Sequence, residues 1–527
     1  MKFLFPLLVV LLAVFAIVPL GYPGAFQSHT GLLSYYNLID LDQHPALGWA
    51  PTIGSSFDIF RTEGPLPYLV AEIFHLIGFD YLNSIKLVYA LAWIAAGLGM
   101  FALARRWVSE PGALLASIVY TYLPFHIATI YVRGAFAEAF AWALFPLVLL
   151  TVVRQQATDV SRQTLAFLLL IFALLFLTQP GIALLFALFA FAVTIALQPN
   201  NFRLSSSVLR LSGMISGGLA IGGVLYLPTL LRYGANITRD GFNANFAHPF
   251  QLFSALWGFG MSTGSFLDQF PFQLGVVPIS LAIIAVALAK NRQDTRRVVL
   301  VFLAIAILLA LLTFEIAAPI WKLLGVFVAY PWQLLAFVGL ALAIVAGSVI
   351  ELDTRFARPA MLAFFVALPV VASYSFLAPR FIDVNPWRPP IATFNNNEIA
   401  LWDYRIVGPL RHGATLRVQF TWQALRPVDY DYTIFLHAVH ADRGTFGEDD
   451  SKPAESTLKW TPGQVITSTH TIQIDVDGPT EGYHLEFGMY NAATGQRALT
   501  ATGADHINLP RPGDPEPIIS EQLPLSK

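Results

Sequence analysis

Eleven apolar runs divide the first 380 residues of the chain, and each approaches the length of a helix that crosses a bilayer. The runs cover residues 3–20, 82–104, 111–129, 136–153, 164–178, 181–197, 207–230, 273–289, 297–314, 332–350 and 360–378. A spanning helix needs about 20 apolar residues because the hydrocarbon core is about 30 Å thick. Between the fifth and sixth runs, Gln179-Pro180-Gly181 is a turn signal that favours a hairpin over one long helix. The sequence therefore predicts a polytopic α-helical membrane domain with about eleven spans over residues 1–380.

The composition agrees with a bilayer as the surrounding solvent. Hydrophobic residues make up 56% of the 527 residues and charged residues only 12%, against about 25% charged in soluble domains. The net charge of −2 offers no basic surface for nucleic acid. The chain contains no cysteine, which excludes disulfides, thiolate catalysis and cysteine-bound metals.

Lysine and arginine residues in the short loops predict the orientation of the spans, because cytoplasmic loops carry an excess of them. Five basic loops fall on one side of an eleven-span arrangement; they contain Arg105 and Arg106, Arg154 and Arg162, Arg203 and Arg210, Lys290 to Arg297, and Arg355 and Arg358. The N-terminus is then cytoplasmic, and the outward segments are 21–81, 130–135, 231–272, 315–331 and 379–527. Gly21-Tyr22-Pro23-Gly24 lacks an Ala-x-Ala cleavage pattern, which favours an uncleaved signal anchor over a cleaved signal peptide.

The outer loops 21–81 and 231–272 are long, and loops of that length often carry function. Within the first loop, apolar residues recur at helical spacing from Pro65 to Phe79, which predicts a helix lying in the membrane interface. The stretch 315–331 is apolar but too short to cross twice, and we expect it on or in the outer leaflet. An active site should therefore open outward, beneath these loops.

From about Asn385 the pattern changes to short strands in which apolar and polar residues alternate. The alternating segments are Thr415–Trp422, Tyr432–His437, Val465–Val476 and Tyr483–Tyr490. Several such segments, broken by Gly, Pro and Asp turns, predict an all-β sandwich domain. We expect a linker at 381–395, an extracytoplasmic β-sandwich at 396–510 and a disordered tail at 511–527.

Acidic residues of the first outer loop are candidates for base and metal chemistry. Asp40 and Asp42 stand two residues apart. An extended or turned backbone would let both carboxylates bind one divalent cation, Mg²⁺ or Mn²⁺, or share the role of general base. The alternative is a solvated turn. Asp58, Arg61 and Glu63 form a second polar cluster, which belongs either to a site or to the surface.

A third candidate lies at the outer end of the third and fourth spans. There Arg133 could bind a phosphate, Gly134 permits close approach of the backbone, and Glu138 sits just inside a helix, where an ionisable group needs a partner. The alternative is an ion pair between Arg133 and Glu138 that fixes the hairpin.

Other polar residues offer weaker signals. Four more outward-facing groups could hold an anionic headgroup or anchor the interface: His29, Arg232, Arg239 and Lys322. We expect His126, in the third span, to be packed and hydrogen-bonded rather than a ligand. In the β domain, Glu448-Asp449-Asp450 is either a calcium site or, as we favour, a solvated acidic turn. No zinc-spaced histidine pair, Gly-rich phosphate loop or Gly-x-Ser-x-Gly motif is present.

Four motifs resemble a known family of bacterial membrane proteins. They are Trp49-Ala50-Pro51, Gly64-Pro65-Leu66-Pro67-Tyr68, the Arg-Gly-x-x-x-Glu segment Tyr131–Ala139, and Tyr330-Pro331-Trp332-Gln333. The family is labelled "6-pyruvoyl-tetrahydropterin synthase-related", a label that implies no pterin chemistry, and the resemblance covers residues 20–350. Its members look like relatives of the GT-C glycosyltransferases. The resemblance therefore implies transfer of a sugar from a polyprenyl-phosphate donor on the outer face, with a carboxylate of the first outer loop as base.

The strands of the C-terminal domain resemble a β-sandwich module that is appended to many such proteins, and sugar binding is the role we expect for it. Two departures from the family pattern stand out in the membrane domain. Family members carry an Asp a few residues before the first-loop histidine, whereas Phe26-Gln27-Ser28 precede His29 here. Gln333 stands where an arginine is usual. Either Asp40 or Asp42 supplies the base from a shifted loop, or transfer activity has been lost.

The sequence thus predicts a GT-C-like glycosyltransferase of the plasma membrane that moves a sugar from a polyprenyl-phosphate-linked donor to an envelope glycan or protein. Asp40 and Asp42 are the predicted base and the predicted metal ligands. The predicted substrate and phosphate contacts are His29, Glu63, Arg133, Glu138 and Arg232. A non-catalytic protein for envelope glycan binding or assembly is the second interpretation. A secondary transporter is the third, disfavoured because charged residues cluster at the outer interface rather than in mid-span.

Overall fold

The computed structural model describes most of the chain in two compact units. The described residues are 4–30, 33–43, 63–155, 161–197, 204–233, 245–260, 262–289, 292–325, 328–381, 390–395, 398–462, 464–480, 482–500 and 503–509. The helical unit comprises residues 1–29, 38–51 and 55–382, and the second unit comprises residues 30–37, 52–54 and 383–527. Each unit is considered by itself below.

Helices predominate in the described part of the chain up to residue 373. In chain order they are α1 (Leu4–Ile17), α2 (Leu33–Gln43), α3 (Leu66–Leu76), α4 (Tyr81–Ala104), α5 (Glu110–Thr121), α6 (Pro124–Tyr131), α7 (Phe136–Arg154), α8 (Arg162–Thr178), α9 (Pro180–Ala196), α10 (Leu204–Tyr233), α11 (Val276–Leu288), α12 (Gln293–Leu312), α13 (Ala318–Leu324), α14 (Leu335–Leu352) and α15 (Pro359–Ser373). Each predicted apolar run coincides with one helix, except the run 111–129, which is divided between α5 and α6.

Fewer of the described helices are long and apolar enough to span a membrane than the sequence predicts. Among the described residues, six helical segments are long and apolar enough to cross a membrane, and the bent pair of α5 and α6 makes a seventh if it is one span. The shorter apolar helices include α8, α9, α11 and residues 208–224 of α10. The protein is a helical membrane protein, and eleven spans stay a prediction.

The third predicted span is broken rather than continuous. The sequence predicts one run over 111–129, whereas α5 and α6 are bent by 41° relative to each other. Leu123, which precedes Pro124, has an extended backbone with φ −60° and ψ 126°. Proline disfavours helical conformation in the residue before it and lacks an N–H group for the helical ladder. The short, fully buried α6 then leads directly into Arg133.

Helix α14 lies at the centre of the helical unit, because every residue of its apolar window is buried, whereas α1, α12 and α15 are mostly exposed. Close approach of backbones holds α14 against α5. A Cβ atom on Gly347 would lie 2.6 Å from the carbonyl oxygen of Gly112. Small residues at helix crossings permit this approach in membrane proteins. The contact fixes the helix that begins just after Trp332 and Gln333.

The start of the first outer loop is attached to the helical unit by polar contacts. The ammonium group of Lys86, in α4, donates to the carbonyl oxygens of Tyr22 and Gly24 at 2.6 Å each. Further along, the backbone N–H of Gln27 donates to the carbonyl oxygen of Arg380 at 2.5 Å. These bonds set the loop segment beside the residues that follow α15.

Two apolar segments of the loops that we predict to face outward are helical. The sequence predicts the first helix, between Pro65 and Phe79, whereas for 315–331 it predicts only a place on or in the outer leaflet. In and just after α3, the exposed apolar side chains are Leu69, Ile73, Leu76 and Ile77. Around α13, Ile316, Ile320 and Leu323 are exposed in the same way. Because the structure contains no membrane, the placement of these helices in the interface stays a prediction.

The second unit contains two antiparallel four-stranded sheets. The strands are β1 (Ala392–Phe394), β2 (Ile399–Val407), β3 (Thr415–Ala424), β4 (Tyr432–His440), β5 (Gly444–Ser451), β6 (Val465–Gln473), β7 (Tyr483–Asn491) and β8 (Ile507–Leu509). Their orders are β1-β2-β3-β6 and β5-β4-β7-β8. One apolar core, with Phe420, Trp422 and Phe487 at its centre, joins residues of both sheets. The predicted alternating segments are confirmed as strands β3, β4, β6 and β7.

The acidic segment of this unit is not the solvated turn that the sequence analysis favours. Glu448, Asp449 and Asp450 belong to strand β5. Asp449 accepts a hydrogen bond from the backbone N–H of Thr471 at 2.8 Å, and Asp450 contacts Nε2 of His437 at 2.8 Å. The turn prediction is wrong because pairing of β5 with β4, and these side-chain partners, outweigh the turn preference of the acidic residues.

Candidate active site

Arg133 and Glu138 form a buried ion pair between α6 and α7. Nη1 of Arg133 donates to Oε1 of Glu138 at 2.6 Å. Gly134, with φ +63°, adopts the left-handed conformation that lets the chain turn between the two residues. The guanidinium group also lies 4.7 Å from the ring centre of Trp332, a cation–π contact. Charges this deeply buried persist only when they are paired, and the ion-pair alternative of the sequence analysis is what the structure contains.

Gln333 is a second hydrogen-bond partner of Glu138. Its Nε2 donates to Oε2 of Glu138 at 3.1 Å, and its Oε1 accepts the backbone N–H of Tyr330 at 3.1 Å. The two oxygens of Glu138 are thus divided between a cation and a neutral amide. Because glutamine is neutral, it adds no charge to the pair of Arg133 and Glu138, whereas an arginine at position 333 would add a second positive charge.

Glu63 joins the same cluster from the first outer loop. Its carboxylate accepts hydrogen bonds from the hydroxyl of Tyr68 and from the backbone of Phe136 and Ala137 at the start of α7, close to Arg133. Burial raises the pKa of Glu63, and these hydrogen bonds and the charge of Arg133 oppose that rise. A carboxyl group with a raised pKa beside a buried arginine is typical of catalytic sites.

His29 lies against the loop between α6 and α7. Its backbone N–H donates to the carbonyl oxygen of Val132 at 3.0 Å. The ring hydrogen-bonds to the backbone of Phe259 and Gly260, whereas Nε2 has no hydrogen-bond partner among the residues that the structure describes. Burial, together with the charge of Arg133, lowers the pKa of His29 to about 4. The imidazole is therefore neutral near pH 7.

Arg380 is a residue of this site that the sequence analysis missed. Its guanidinium lies 4.5 Å from the ring centre of Phe259, the residue whose backbone bonds His29. The side chain is exposed and, among the described residues, forms no ion pair with a carboxylate. Arg380 lies seven residues after the end of α15, just before the predicted linker, and an arginine just outside a final span is the signal that could have found it.

Asp42 occupies a different set of contacts. Its Oδ2 accepts the hydroxyl of Tyr81 at 2.6 Å and lies 3.9 Å from Nε2 of His75. Burial and the charge of Asp42 raise the pKa of Glu72. In the described part of the chain, Asp42 makes no hydrogen bond or ion pair with Arg133.

The backbone of Asp40 and Asp42 differs from the one that a shared cation requires. Both residues belong to helix α2, and positions two apart on a helix do not face each other. The predicted pair depended on an extended or turned chain. Over the described residues, no group of three or more His, Cys, Asp or Glu side chains is arranged to hold a metal ion.

Several sequence candidates lie outside what the structure describes. Arg232 is placed on α10 only by its backbone, and Asp58, Arg61 and Arg239 fall outside the described residues. Lys322 is exposed at the end of α13. His126 is packed as predicted: it stacks on Trp142 with ring centres 4.2 Å apart, and its Nδ1 lies 3.2 Å from the carbonyl oxygen of Tyr120.

The comparisons with known proteins agree with the family resemblance. The family model described as "6-pyruvoyl-tetrahydropterin synthase related domain; membrane protein" matches residues 61–380. No curated protein matches the sequence.

Three solved structures are distantly similar to this chain. ArnT from Cupriavidus metallidurans, bound to undecaprenyl phosphate, aligns with 70% of this chain and 69% of its own, at 15% identity and a TM-score of 0.47. The archaeal oligosaccharyltransferase AglB from Archaeoglobus fulgidus, in complex with an inhibitory peptide and a dolichol-phosphate, aligns with 72% of this chain and 57% of its own, at 15% identity and a TM-score of 0.42. The arabinofuranosyltransferase AftD from Mycobacteria aligns with 71% of this chain and 28% of its own, at 17% identity and a TM-score of 0.44. Likenesses this distant carry no functional inference.

Proposed function

This chain belongs to the 6-pyruvoyl-tetrahydropterin synthase related family of membrane proteins, and from that premise we propose that it is a GT-C-type membrane glycosyltransferase. Its donor would be a sugar linked to polyprenyl phosphate, which enters sideways from the outer leaflet. Its acceptor would be a hydroxyl group of an envelope glycan or protein.

One observation supports this proposal above the others. His29, Glu63 and the Arg133–Glu138 motif lie far apart in the sequence, and all four residues are candidates for substrate contact. In the structure Arg133 pairs with Glu138 and lies within electrostatic range of both His29 and Glu63. A buried arginine beside a carboxyl group of raised pKa and a neutral histidine provides both charge stabilisation and proton transfer.

The phosphate of the donor would be held by arginine side chains. Arg380 has an exposed guanidinium without an ion-pair partner in the described part of the chain, so it can form a charge-assisted, bidentate contact with a phosphate. Arg133 would add a second positive charge from below, and Arg232 stays a further proposed phosphate contact. As the bond to the sugar breaks, negative charge grows on the phosphate, where such groups stabilise the transition state.

Asp40 and Asp42 stay proposed contributors to base catalysis and to the binding of a divalent cation, Mg²⁺ or Mn²⁺. A cation held there would add positive charge near the leaving phosphate. Because both residues belong to α2, we expect at most one of them to reach the reacting groups in any one conformation.

A second function is a non-catalytic role in binding or assembling envelope glycans. Gln333 favours it, because it leaves the Arg133 and Glu138 pair neutral where the family pattern has an additional arginine. The absence of a carboxylate from Phe26-Gln27-Ser28 favours it as well.

The test uses the full chain purified in lipid nanodiscs and a panel of undecaprenyl-phosphate-linked hexoses and pentoses, with release of undecaprenyl phosphate as the readout. We expect turnover with at least one donor, and loss of turnover in Arg133→Gln and Arg380→Gln. Arg411→Gln, which changes an exposed arginine of the second unit, is the matched control. Asp40→Asn and Asp42→Asn test the remaining candidates. Tight binding of undecaprenyl phosphate without turnover of any donor would support the non-catalytic function.

A further inference from the structure

The most unusual feature of the site is an imidazole nitrogen that is buried without a partner. Nε2 of His29 exposes almost no surface and has no hydrogen-bond partner among the described residues. We propose that this atom accepts the hydrogen bond of the acceptor's hydroxyl group and takes its proton during sugar transfer. The inference rests on the proposed glycosyltransferase function and assigns His29 to the acceptor rather than to the donor.

The hydrogen bonds of the ring determine which nitrogen carries the proton. The ring bonds to the backbone of Phe259 and Gly260, and because Nε2 is unpartnered, we assign these bonds to Nδ1. A carbonyl oxygen accepts only from an N–H, so Nδ1 is protonated and Nε2 presents a lone pair.

A lone pair at Nε2 selects the kind of group that can bind there. Phosphate oxygens are acceptors, and they would meet another acceptor. A hydroxyl group can donate. Burial and the positive charge of Arg133 keep the pKa of His29 near 4, so the ring does not become the imidazolium that would bind phosphate. The site therefore has two kinds of group. The guanidinium groups would bind the donor phosphate, and the neutral imidazole would bind the acceptor hydroxyl.

Two backbone contacts fix the segment that ends at His29. Its N–H bonds the carbonyl oxygen of Val132, the residue before Arg133, at 3.0 Å. Two residues earlier, the N–H of Gln27 bonds the carbonyl oxygen of Arg380 at 2.5 Å. A histidine in this position can replace the carboxylate that the family pattern places a few residues upstream, and Phe26-Gln27-Ser28 offers none.

The step balances without a further reactant. The hydroxyl proton moves to Nε2, the hydroxyl oxygen forms a bond to the anomeric carbon, and the bond between that carbon and the phosphate oxygen breaks. The electron pair of the broken bond stays on the phosphate, whose growing negative charge raises the proton affinity of the neighbouring ring. The proton then passes from Nε2 to the departing polyprenyl phosphate or to water.

Glu63 is the competing base in the same cluster. Its carboxylate already accepts hydrogen bonds from Tyr68 and from the start of α7. A base whose oxygens are occupied must give up those bonds before it can take a proton, whereas Nε2 of His29 gives up none. Glu63→Gln therefore belongs in the same experiment.

The experiment compares His29→Ala, His29→Gln and Glu63→Gln with the unmodified chain in nanodiscs, using whichever undecaprenyl-phosphate-linked sugar is turned over. We expect His29→Ala to reduce kcat by roughly a hundredfold or more, with the Kd for undecaprenyl phosphate unchanged. Added imidazole should restore part of the turnover of His29→Ala, and Glu63→Gln should lose less activity. The control is His412→Ala, an exposed histidine of the second unit.

Two results would overturn the assignment while leaving the proposed function intact. Full turnover by His29→Gln would remove the base role. Loss of undecaprenyl phosphate binding in His29→Ala, parallel to the loss in Arg380→Gln, would make His29 a donor contact instead. If the unmodified chain neither binds undecaprenyl phosphate nor transfers any sugar of the panel, the proposed function itself fails, and this inference fails with it.

Discussion

Nη1 of Arg133 lies 2.6 Å from Oε1 of Glu138, and both side chains are buried. This ion pair links the end of α6 to the first turn of α7. Each of the two charges is the partner that stabilises the other in the buried site. The pair therefore serves structure and site at once, which makes its removal informative about both.

Glu138→Gln should destabilise the protein strongly, because it leaves the charge of Arg133 buried without a partner. Breaking a buried pair in this way costs about 3 to 5 kcal/mol. The measurement is the melting temperature in nanodiscs. Arg355→Gln, which removes an exposed pair with Asp353, is the control and should leave the melting temperature unchanged. An equal effect of the two variants would contradict the importance of the buried pair.

Gln333→Arg should increase the affinity for undecaprenyl phosphate. The new guanidinium would share Glu138 with Arg133 and add a positive charge to the neutral ion pair. A charge-assisted contact is worth about 1.5 to 3 kcal/mol, so we expect the Kd to fall by roughly tenfold or more. Gln333→Met, which has similar length and no charge, is the matched control. An unchanged Kd in Gln333→Arg would place the phosphate elsewhere.

Stability should depend on pH through His29. Its pKa is lowered from 6.5 to about 4, so between these values the unfolded chain binds more protons at this residue than the folded chain does. Stability contributed by His29 is therefore complete above pH 6.5 and is lost as the pH falls toward 4. We expect the melting temperature of His29→Gln to change less over this interval than that of the unmodified chain. Parallel curves for the two proteins would refute the prediction.

Glu63 should act in the opposite direction. Burial raises the pKa of its carboxyl group above 4.5, so the folded chain binds this proton more tightly than the unfolded chain does. The stability contributed by Glu63 therefore falls as the pH rises above 4.5. In Glu63→Gln that loss should disappear, and the variant should gain melting temperature relative to the unmodified chain as the pH is raised from 4.5 to 7. A constant difference in melting temperature between the two proteins over this range would contradict the prediction.

The contact between α5 and α14 should tolerate no side chain. Because a Cβ on Gly347 would lie 2.6 Å from the carbonyl oxygen of Gly112, Gly347→Val must separate the two helices. We expect a large loss of monodisperse protein in detergent gel filtration. Gly213→Ala, at a helical glycine with no atom within 4 Å of the added Cβ, should behave like the unmodified chain. Normal behaviour of Gly347→Val would mean that the helices do not meet as described.

The sequence predicted the elements well, because apolar length and alternation are local properties. All the apolar runs are helical, although the third is divided into two helices, and the alternating segments are strands. The break at Pro124 shows the limit: proline signalled it, but length alone favoured one span. The turn predicted at Glu448-Asp449-Asp450 failed because its partners on β4 and β6 are not neighbours in the chain.

For the site, the sequence identified the Arg133 and Glu138 pair because both residues belong to one short motif. It could not show that Gln333 shares Glu138, since 195 residues separate them. Arg380 escaped notice for the same reason: only the folded chain brings it beside Phe259 and the loop of His29. Long-range pairing of polar groups is set by helix packing, which no local pattern encodes.

Lys86 has a consequence for motion in the first outer loop. Its two bonds to Tyr22 and Gly24 clamp the beginning of the loop to α4, and five residues later His29 is held in turn by Val132. A loop secured at both points cannot hinge at its start. The segment from Tyr22 to His29 is therefore fixed at both ends, and these contacts hold the imidazole beside Val132 and the loop that carries the buried pair of Arg133 and Glu138.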